Sequence, residues 1–312
     1  MQQFPASTDP QFLPTDFLTI QDLLSKKGAL VVAHPGHELC VHHWLTLAKP
    51  VVFVLTDGSG RHGQPRLTST TRIISEVGGR SGTWFGKHTD QTIYRALLDH
   101  DFALFQMLAM ELAEALLAAD VDYVLGDSLE GYNPTHDVCR LLINTAVELA
   151  NSECGRQRIR NFDFPIIGAR QADAIALPLD ELSFRRKTEV MRDYPELRDE
   201  INFGLDGATL QKLEGFGELG REVVALLNSR GGADFFREEL LRPVMSNLNE
   251  PAMPAKPYYE RYAEILVGAG HYQQVIRYQD HVAPVAAALS DLTASADFAD
   301  YTYLKRSKTT GR

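Results

Sequence analysis

The chain has 312 residues, 44% of them hydrophobic, with a formal net charge of -10 and a pI near 5.5. That length suits one α/β domain with an extension as well as two domains, and an acidic balance without any run of basic residues argues against nucleic acid or an anionic membrane surface as a partner. Cys40, Cys139 and Cys154 have no CxxC spacing and read as reduced packing residues; with no secretion signal and no apolar run near the roughly 18 residues of a membrane span, a cytoplasmic protein is expected.

Taken in order, residues 1–15 are aperiodic and read as a loose arm, and Phe17, Leu18, Ile20, Leu23 and Leu24 give residues 16–26 the spacing of a short amphipathic helix. Gly28-Ala29-Leu30-Val31-Val32-Ala33 is a continuous apolar run of the kind that forms a strand buried on both faces. It ends at His34, and Pro35-Gly36 turns the chain so that His37, three residues on, can face the same space. A helix follows from Glu38 to Ala48, then a second buried strand, Val51 to Thr56, ending in Asp57-Gly58-Ser59-Gly60. Residues 60–68 are a surface loop, and Arg72 and Glu76 share one face of a helix stopped by Gly78-Gly79. Thr83-Trp84-Phe85 reads as an edge strand, Asp101 to Ala119 as a strong helix, and Val121 to Gly126 as a strand whose loop, Asp127 to Asn133, leads to a helix from Pro134 or Thr135 to Ala150.

Three strand–loop–helix units therefore set His34, His37 and His136 along one rim of a Rossmann-like, mostly parallel sheet with helices on both faces. In open α/β sheets that rim is the ligand-binding edge. Residues 165–168 and 174–177 are expected to add strands, residues 179–194 a helix, and the segment after about residue 200, clearest at Leu210 to Leu227, a helical extension (arm 1–15, α/β domain 16–200, extension 201–312). Tyr258, Tyr259, Tyr262, Tyr272 and Tyr278 suit helix packing or a subunit contact, and hence a homo-oligomer, ahead of a sugar platform. A close pair of histidines plus a distant third is the usual plan of a three-ligand catalytic metal site. In a chain with ten histidines, chance placement of some at strand ends is the competing explanation.

Ala33-His34-Pro35-Gly36-His37-Glu38 resembles the AHPDDE motif that opens the LmbE-like, or PIG-L, family of zinc-dependent N-deacetylases. Thr56-Asp57-Gly58 is similar to that family's TDG turn, Arg72 and Glu76 match its RxxE helix with one residue too many, and Asn133-Pro134-Thr135-His136 resembles its HPDH motif. The matches keep the family's order over about residues 28–150. The resemblance implies a hydrolase of an amide or related C–N bond, on a small polar substrate such as an N-acylated sugar or sugar conjugate. It also implies one divalent ion, zinc first, with His34 as first ligand, His136 as last, and His37 in place of the ligand aspartate.

The same resemblance shows what is missing. Gly36 stands where the family has its general-base aspartate, Asn133 where it has a histidine, and Thr135 where it has that histidine's aspartate partner. Three neutral imidazoles leave the full charge on the ion and make its water more acidic, whereas a lost base costs about 10²- to 10⁴-fold. Glu38, Tyr132 and Asn133 are the candidates for catalytic work, Glu38 being better suited to orienting a ligand. Asp57, Arg72 and Asp127 are the candidates for substrate binding, although Asp57 also suits a turn cap and Arg72 a plain ion pair with Glu76. Two other readings stay open: a metal-binding member without hydrolysis, and a non-hydrolytic metalloenzyme, since three histidines also suit iron, cobalt or nickel.

Overall fold

The computed structural model describes residues 19–60, 63–152, 159–167, 171–198, 201–202, 205, 232–244 and 255–295. The expected arm, the helix at Leu210 to Leu227 and Cys154 lie outside the described residues.

Among the described residues, seven strands form one sheet: β1 (Gly28–Val32), β2 (Val51–Thr56), β3 (Arg80–His88), β4 (Tyr123–Asp127), β5 (Arg160–Phe164), β6 (Ile175–Pro178) and β7 (Glu238–Pro243). Their spatial order is β3-β2-β1-β4-β5-β7-β6. The first five are parallel, whereas β7 runs antiparallel to both β5 and β6. The helices are α1 (Ile20–Leu24), α2 (His42–Ala48), α3 (Leu67–Glu76), α4 (Asp90–Leu98), α5 (Phe102–Ala119), α6 (Pro134–Ser152), α7 (Glu181–Arg192), α8 (Tyr258–Gly268) and α9 (Ala283–Ala294).

Every residue of β1, β2 and β4 is buried. Alternation along a strand sends Ala29, Val31 and Ala33 to one face and Leu30 and Val32 to the other, and the two sets enter different cores. The first core is closed by α4, α5, α6 and α9, the second by α2, α3 and α7. The sheet is the mostly parallel, two-sided α/β array expected from the apolar runs. β1 is central, with β2 on one side and β4 on the other, so the chain reverses its winding direction between β1 and β4. A crevice opens at the carboxyl ends of strands at such a point.

Several elements differ from the expectation. The strand sought at residues 165–168 lies upstream at Arg160–Phe164. The residue 201–312 segment is not purely helical, because β7 enters the sheet between β5 and β6. Glu38 to Ala48 splits into a 3-10 turn (His37–Leu39) and α2, and α4 was not anticipated. Finally, α5 is long and apolar enough to cross a membrane by length and composition, with mean hydropathy 1.6, which a search for uninterrupted runs passes over because Glu111 and Glu114 break it. Its Phe105, Leu108, Leu112 and Leu116 are spent in the core against α6 and α9. Cys40 and Cys139 are free thiols, and burial pushes Cys40 up to about 12.

Candidate functional site

The loop after β1 is shaped by Gly36. Its φ of 105° lies in the left-handed region, and a Cβ there would sit 2.2 Å from Leu197 Cδ1. Glycine is required twice over, by conformation and by space. The turn is fastened by Glu38, a fully buried carboxylate that accepts the Gly36 N–H at 2.7 Å on Oε2 and the Thr70 hydroxyl at 2.6 Å on Oε1. Tyr194 OH lies 2.9 Å from Thr70 Oγ1 and donates to the Arg66 carbonyl at 3.1 Å. Burial pushes the Glu38 carboxyl up, against the hydrogen bonds that favour its charge. Both of its oxygens are engaged in holding the turn, which is an orienting role.

The turn delivers His34 and His37 to one pocket, and α6 delivers the third imidazole. Asn133 caps α6, its Oδ1 accepting the Thr135 N–H at 2.8 Å, and Pro134 occupies the first helical position, where its missing N–H costs nothing. His136 follows in the first turn, 5% exposed. Close packing sets the height of α6, since a Cβ on Gly126 of β4 would lie 2.5 Å from both Ile143 Cδ1 and the Val31 carbonyl. The ring centroids are 5.4 Å apart for His34–His37, 5.1 Å for His34–His136 and 4.3 Å for His37–His136. Burial, then the neighbouring His37 and His34, holds the His136 imidazole well below its usual range, so it is neutral.

Two of the three rings have a fixed outer nitrogen. His37 Nδ1–H donates to Asp127 Oδ1 at 2.7 Å, and Asp127 Oδ2 accepts the Ala33 N–H at 2.6 Å. His34 Nδ1 is hydrogen-bonded to Thr56 Oγ1 at 2.8 Å and lies 2.8 Å from Asp90 Oδ1, to which Thr56 donates at 2.7 Å. Burial of Asp90 works to raise its carboxyl, but His34, Thr56 and the Gly60 N–H outweigh it and hold it well below the carboxylate range. A neutral imidazole that donates from Nδ1 presents a lone pair on Nε2, the arrangement in which a carboxylate orients a metal-binding histidine.

Three imidazole nitrogens are, by chemistry alone, a donor set of the kind that binds divalent transition-metal ions. An ion about 2.1 Å from each nitrogen, and so about 3.2 Å from each ring centre, holds tetrahedrally placed imidazole centroids about 5 Å apart. The two His34 spacings are close to that value, and His37–His136 is shorter by about 1 Å. Among the described residues, no group of three or more His, Cys, Asp or Glu side chains is placed so that it could hold a metal ion as it stands.

The remaining expected residues fall on both sides of this pocket. Asp127 is fully buried, with its two oxygens accepting the His37 Nδ1–H and the Ala33 N–H, so it fixes the His37 ring. Asp57 Oδ1 accepts the Ser59 N–H at 2.9 Å, a turn cap. Arg72, its side chain 43% exposed, reaches Glu76 at 3.5 Å and the Asp193 carbonyl at 3.1 Å, away from the histidines. Arg66 is the arginine beside the loops, its Nε donating to the Gly58 carbonyl at 2.6 Å. Asn133 is engaged as a helix cap. Tyr132 does reach the pocket, its ring 5.8 Å from that of His136.

Asp90, Thr56, Asp137 and Arg140 were not anticipated. Arg140 donates to the Asp127 and Phe162 carbonyls and to Asn161, tying the ends of β4 and β5. Asp137 Oδ1 accepts the Glu130 and Gly131 N–H groups at 3.1 Å each, fixing the loop that carries Tyr132, and burial pushes this carboxyl up to about 7. The Thr89-Asp90 pair was the legible signal, since Thr89 caps α4 through the Thr92 N–H.

No family profile matches the chain, and no curated protein matches it. Among solved structures, the conserved protein TT1542 from Thermus thermophilus is 18% identical with a TM-score of 0.42, covering 74% of this chain and 100% of that one. The deacetylase Dbv21, which acts on the pseudoaglycone of the antimicrobial reagent A40926, is 18% identical with a TM-score of 0.45, covering 72% of this chain and 99% of that one.

Proposed function

We propose that the chain is a metal-dependent hydrolase of an amide or related C–N bond, with His34, His37 and His136 holding one divalent ion, zinc first. The observation that carries this reading is the meeting of three imidazoles from the turn after β1 and the first turn of α6, with one outer nitrogen held by the buried Asp127 carboxylate and another by Thr56 and Asp90. Such an ion supplies Lewis-acid polarisation of a carbonyl and a nucleophile at neutral pH. The protein's own groups do the rest. Asp127 orients the His37 ring, Thr56 backed by Asp90 orients that of His34, Glu38 holds the turn that aims both rings, and the Tyr132 phenol, beside His136, donates to an oxygen that gains charge. The substrate class, an N-acylated sugar or conjugate, rests on the motif resemblance alone.

The test is elemental analysis of the pure protein with and without His37→Ala, together with turnover of N-acetyl sugars at several pH values. One metal per chain that His37→Ala sharply lowers, with acetate released by the unaltered protein, supports the reading; full metal retention in the variant sinks it.

A second reading, a metal-binding protein without hydrolysis, has its own observation. Gly36 has no room for a base, and the nearby carboxylates of Glu38, Asp90 and Asp127 are all committed to N–H or O–H donors. Stoichiometric metal with no turnover across the panel favours it.

A further inference from the structure

Where α6 and α8 meet, two buried oxygen atoms stand without a partner that the three-histidine pocket accounts for. Asp137 is fully buried in the first turn of α6, and its Oδ1 is spent on the Glu130 and Gly131 N–H groups, at 3.1 Å each. Its Oδ2 has no hydrogen-bond partner, and neither has the hydroxyl of Tyr259, 5% exposed in the first turn of α8. One peptide ties the two residues together: the Gly131 N–H donates to Asp137, and the Gly131 carbonyl accepts the Tyr259 N–H at 3.4 Å. The second carboxylate here, Glu260, is also buried and accepts the Tyr278 N–H at 2.7 Å. Burial, then the charges of Asp137 and Glu260, push the Tyr259 phenol up, so its hydroxyl lies in the field of both.

We propose that Asp137 and Tyr259 hold one alkali-metal cation, sodium or potassium, in a buried site between α6 and α8. Native structures pair nearly every buried polar atom, and a bare carboxylate oxygen calls for an ion or a donor. The protein's own bases do not supply it. Arg140, one turn along α6, is tied to the Asp127 and Phe162 carbonyls, and Arg277 is taken by Glu260 and Glu264. The donors are hard oxygens, which take hard cations, and the site lacks the imidazole and thiolate ligands that draw transition metals. One carboxylate oxygen is left to balance, which matches a single positive charge better than a double one. The ion would fasten the Glu130-Gly131 turn, and with it Tyr132, to the first turns of α6 and α8. This site is separate from the histidine pocket and stands whether or not that pocket hydrolyses a substrate.

The test is thermal unfolding of the intact protein, stripped of divalent ions and held at alkaline pH, in sodium, potassium or tetramethylammonium chloride at equal concentration. Sodium or potassium should raise the melting temperature by about 2–8 °C over tetramethylammonium, which is too large for the site, and the rise should saturate with salt. Asp137→Asn keeps the shape, removes the charge and should erase the difference. Tyr259→Phe keeps the ring, removes one ligand and should move the salt titration to about threefold to tenfold higher concentration. If Asp137→Asn does not fold, the Tyr259→Phe titration decides alone. Equal melting in all three salts, as a buried water would give, overturns the proposal. So does a difference that survives Asp137→Asn, a titration unmoved in Tyr259→Phe, or a response to calcium or magnesium without one to either alkali ion. Because the divalent ion is absent throughout, none of these outcomes bears on the hydrolase reading, which is tested by metal content and turnover.

Discussion

Replacing Asp127 with asparagine keeps shape and volume but removes one of two acceptors. The carboxylate accepts the Ala33 N–H at 2.6 Å and the His37 Nδ1–H at 2.7 Å, in a fully buried position. An amide can accept only one of them. The backbone N–H cannot be withdrawn, so the amide oxygen turns to Ala33 and its NH₂ faces His37 Nδ1. That nitrogen must then accept, its proton moves to Nε2, and the lone pair leaves the pocket; a wrong tautomer with intact geometry is what such a swap does in other carboxylate–histidine pairs. One charge-assisted hydrogen bond is lost, about 1.5–3 kcal/mol of stability. Divalent-ion affinity should fall about 10- to 100-fold, the usual cost of removing a carboxylate partner. Urea unfolding with chelator present gives the first number, and competition for Zn²⁺ against a chromophoric chelator gives the second. Arg72→Ala is the control: its ion pair with Glu76 is half-exposed and should move neither readout beyond about 0.5 kcal/mol. Unchanged zinc affinity in Asp127→Asn, with the fold intact, would refute the reasoning.

Restoring a carboxylate by Gly36→Asp should destabilise the protein, because the left-handed backbone and the Leu197 contact are both violated; about 1–3 kcal/mol is expected in thermal melts, and Gly36→Asp with Leu197→Ala should recover part of it. His42 is buried, and burial, then Lys187 and Arg186, lowers its imidazole to about 4 from 6.5. The unfolded chain therefore takes up a proton first, so stability contributed by neutral His42 is complete above pH 6.5 and declines as pH falls toward 4, by up to about 1.4 kcal/mol per pH unit. His42→Gln should flatten that part of the stability–pH curve, and parallel curves for the two proteins would contradict it. Lys187 is a buried ammonium that donates to Glu239 Oε1 at 2.7 Å and to the Cys40 carbonyl at 2.6 Å, while Glu239 also accepts the His43 and Trp44 N–H groups. Lys187→Met should cost about 3–5 kcal/mol by leaving that carboxylate uncompensated, and adding Glu239→Gln should return a share of it in the same unfolding assay.

The parts of the fold written in hydrophobic runs were legible. β1, β2 and β4 are buried on both faces, and so read as unbroken apolar stretches; their ends gave His34, His37 and His136 positions on one rim. β7 was hidden because two of its buried positions are charged. Glu239 pairs with Lys187 and Arg242 with Asp163, and these pairs mask the alternation that marks a strand. For the same reason β5 was sought one segment late: Asn161 and Asp163 serve Arg140 and Arg242, whereas Ile166 and Ile167, which look more strand-like, bind Glu130 through their N–H groups. Asp127 was assigned to substrate because a carboxylate at a strand end points to the crevice in the sequence, but its neighbour across the turn is an imidazole. Asp90 lay on a helix with only Ile93, Ala96 and Leu97 as its buried apolar stripe, too short a pattern to read.

The place of β7 between β5 and β6 bears on how the molecule is made. During synthesis β5 emerges at Phe164, but the strand that covers its free edge begins only at Glu238. At about 5–20 residues per second the ribosome leaves that edge open for several seconds, the interval in which a nascent sheet is most able to pair with the wrong neighbour. Once the late strand arrives, Glu239 against Lys187 and Arg242 against Asp163 hold it in a single register.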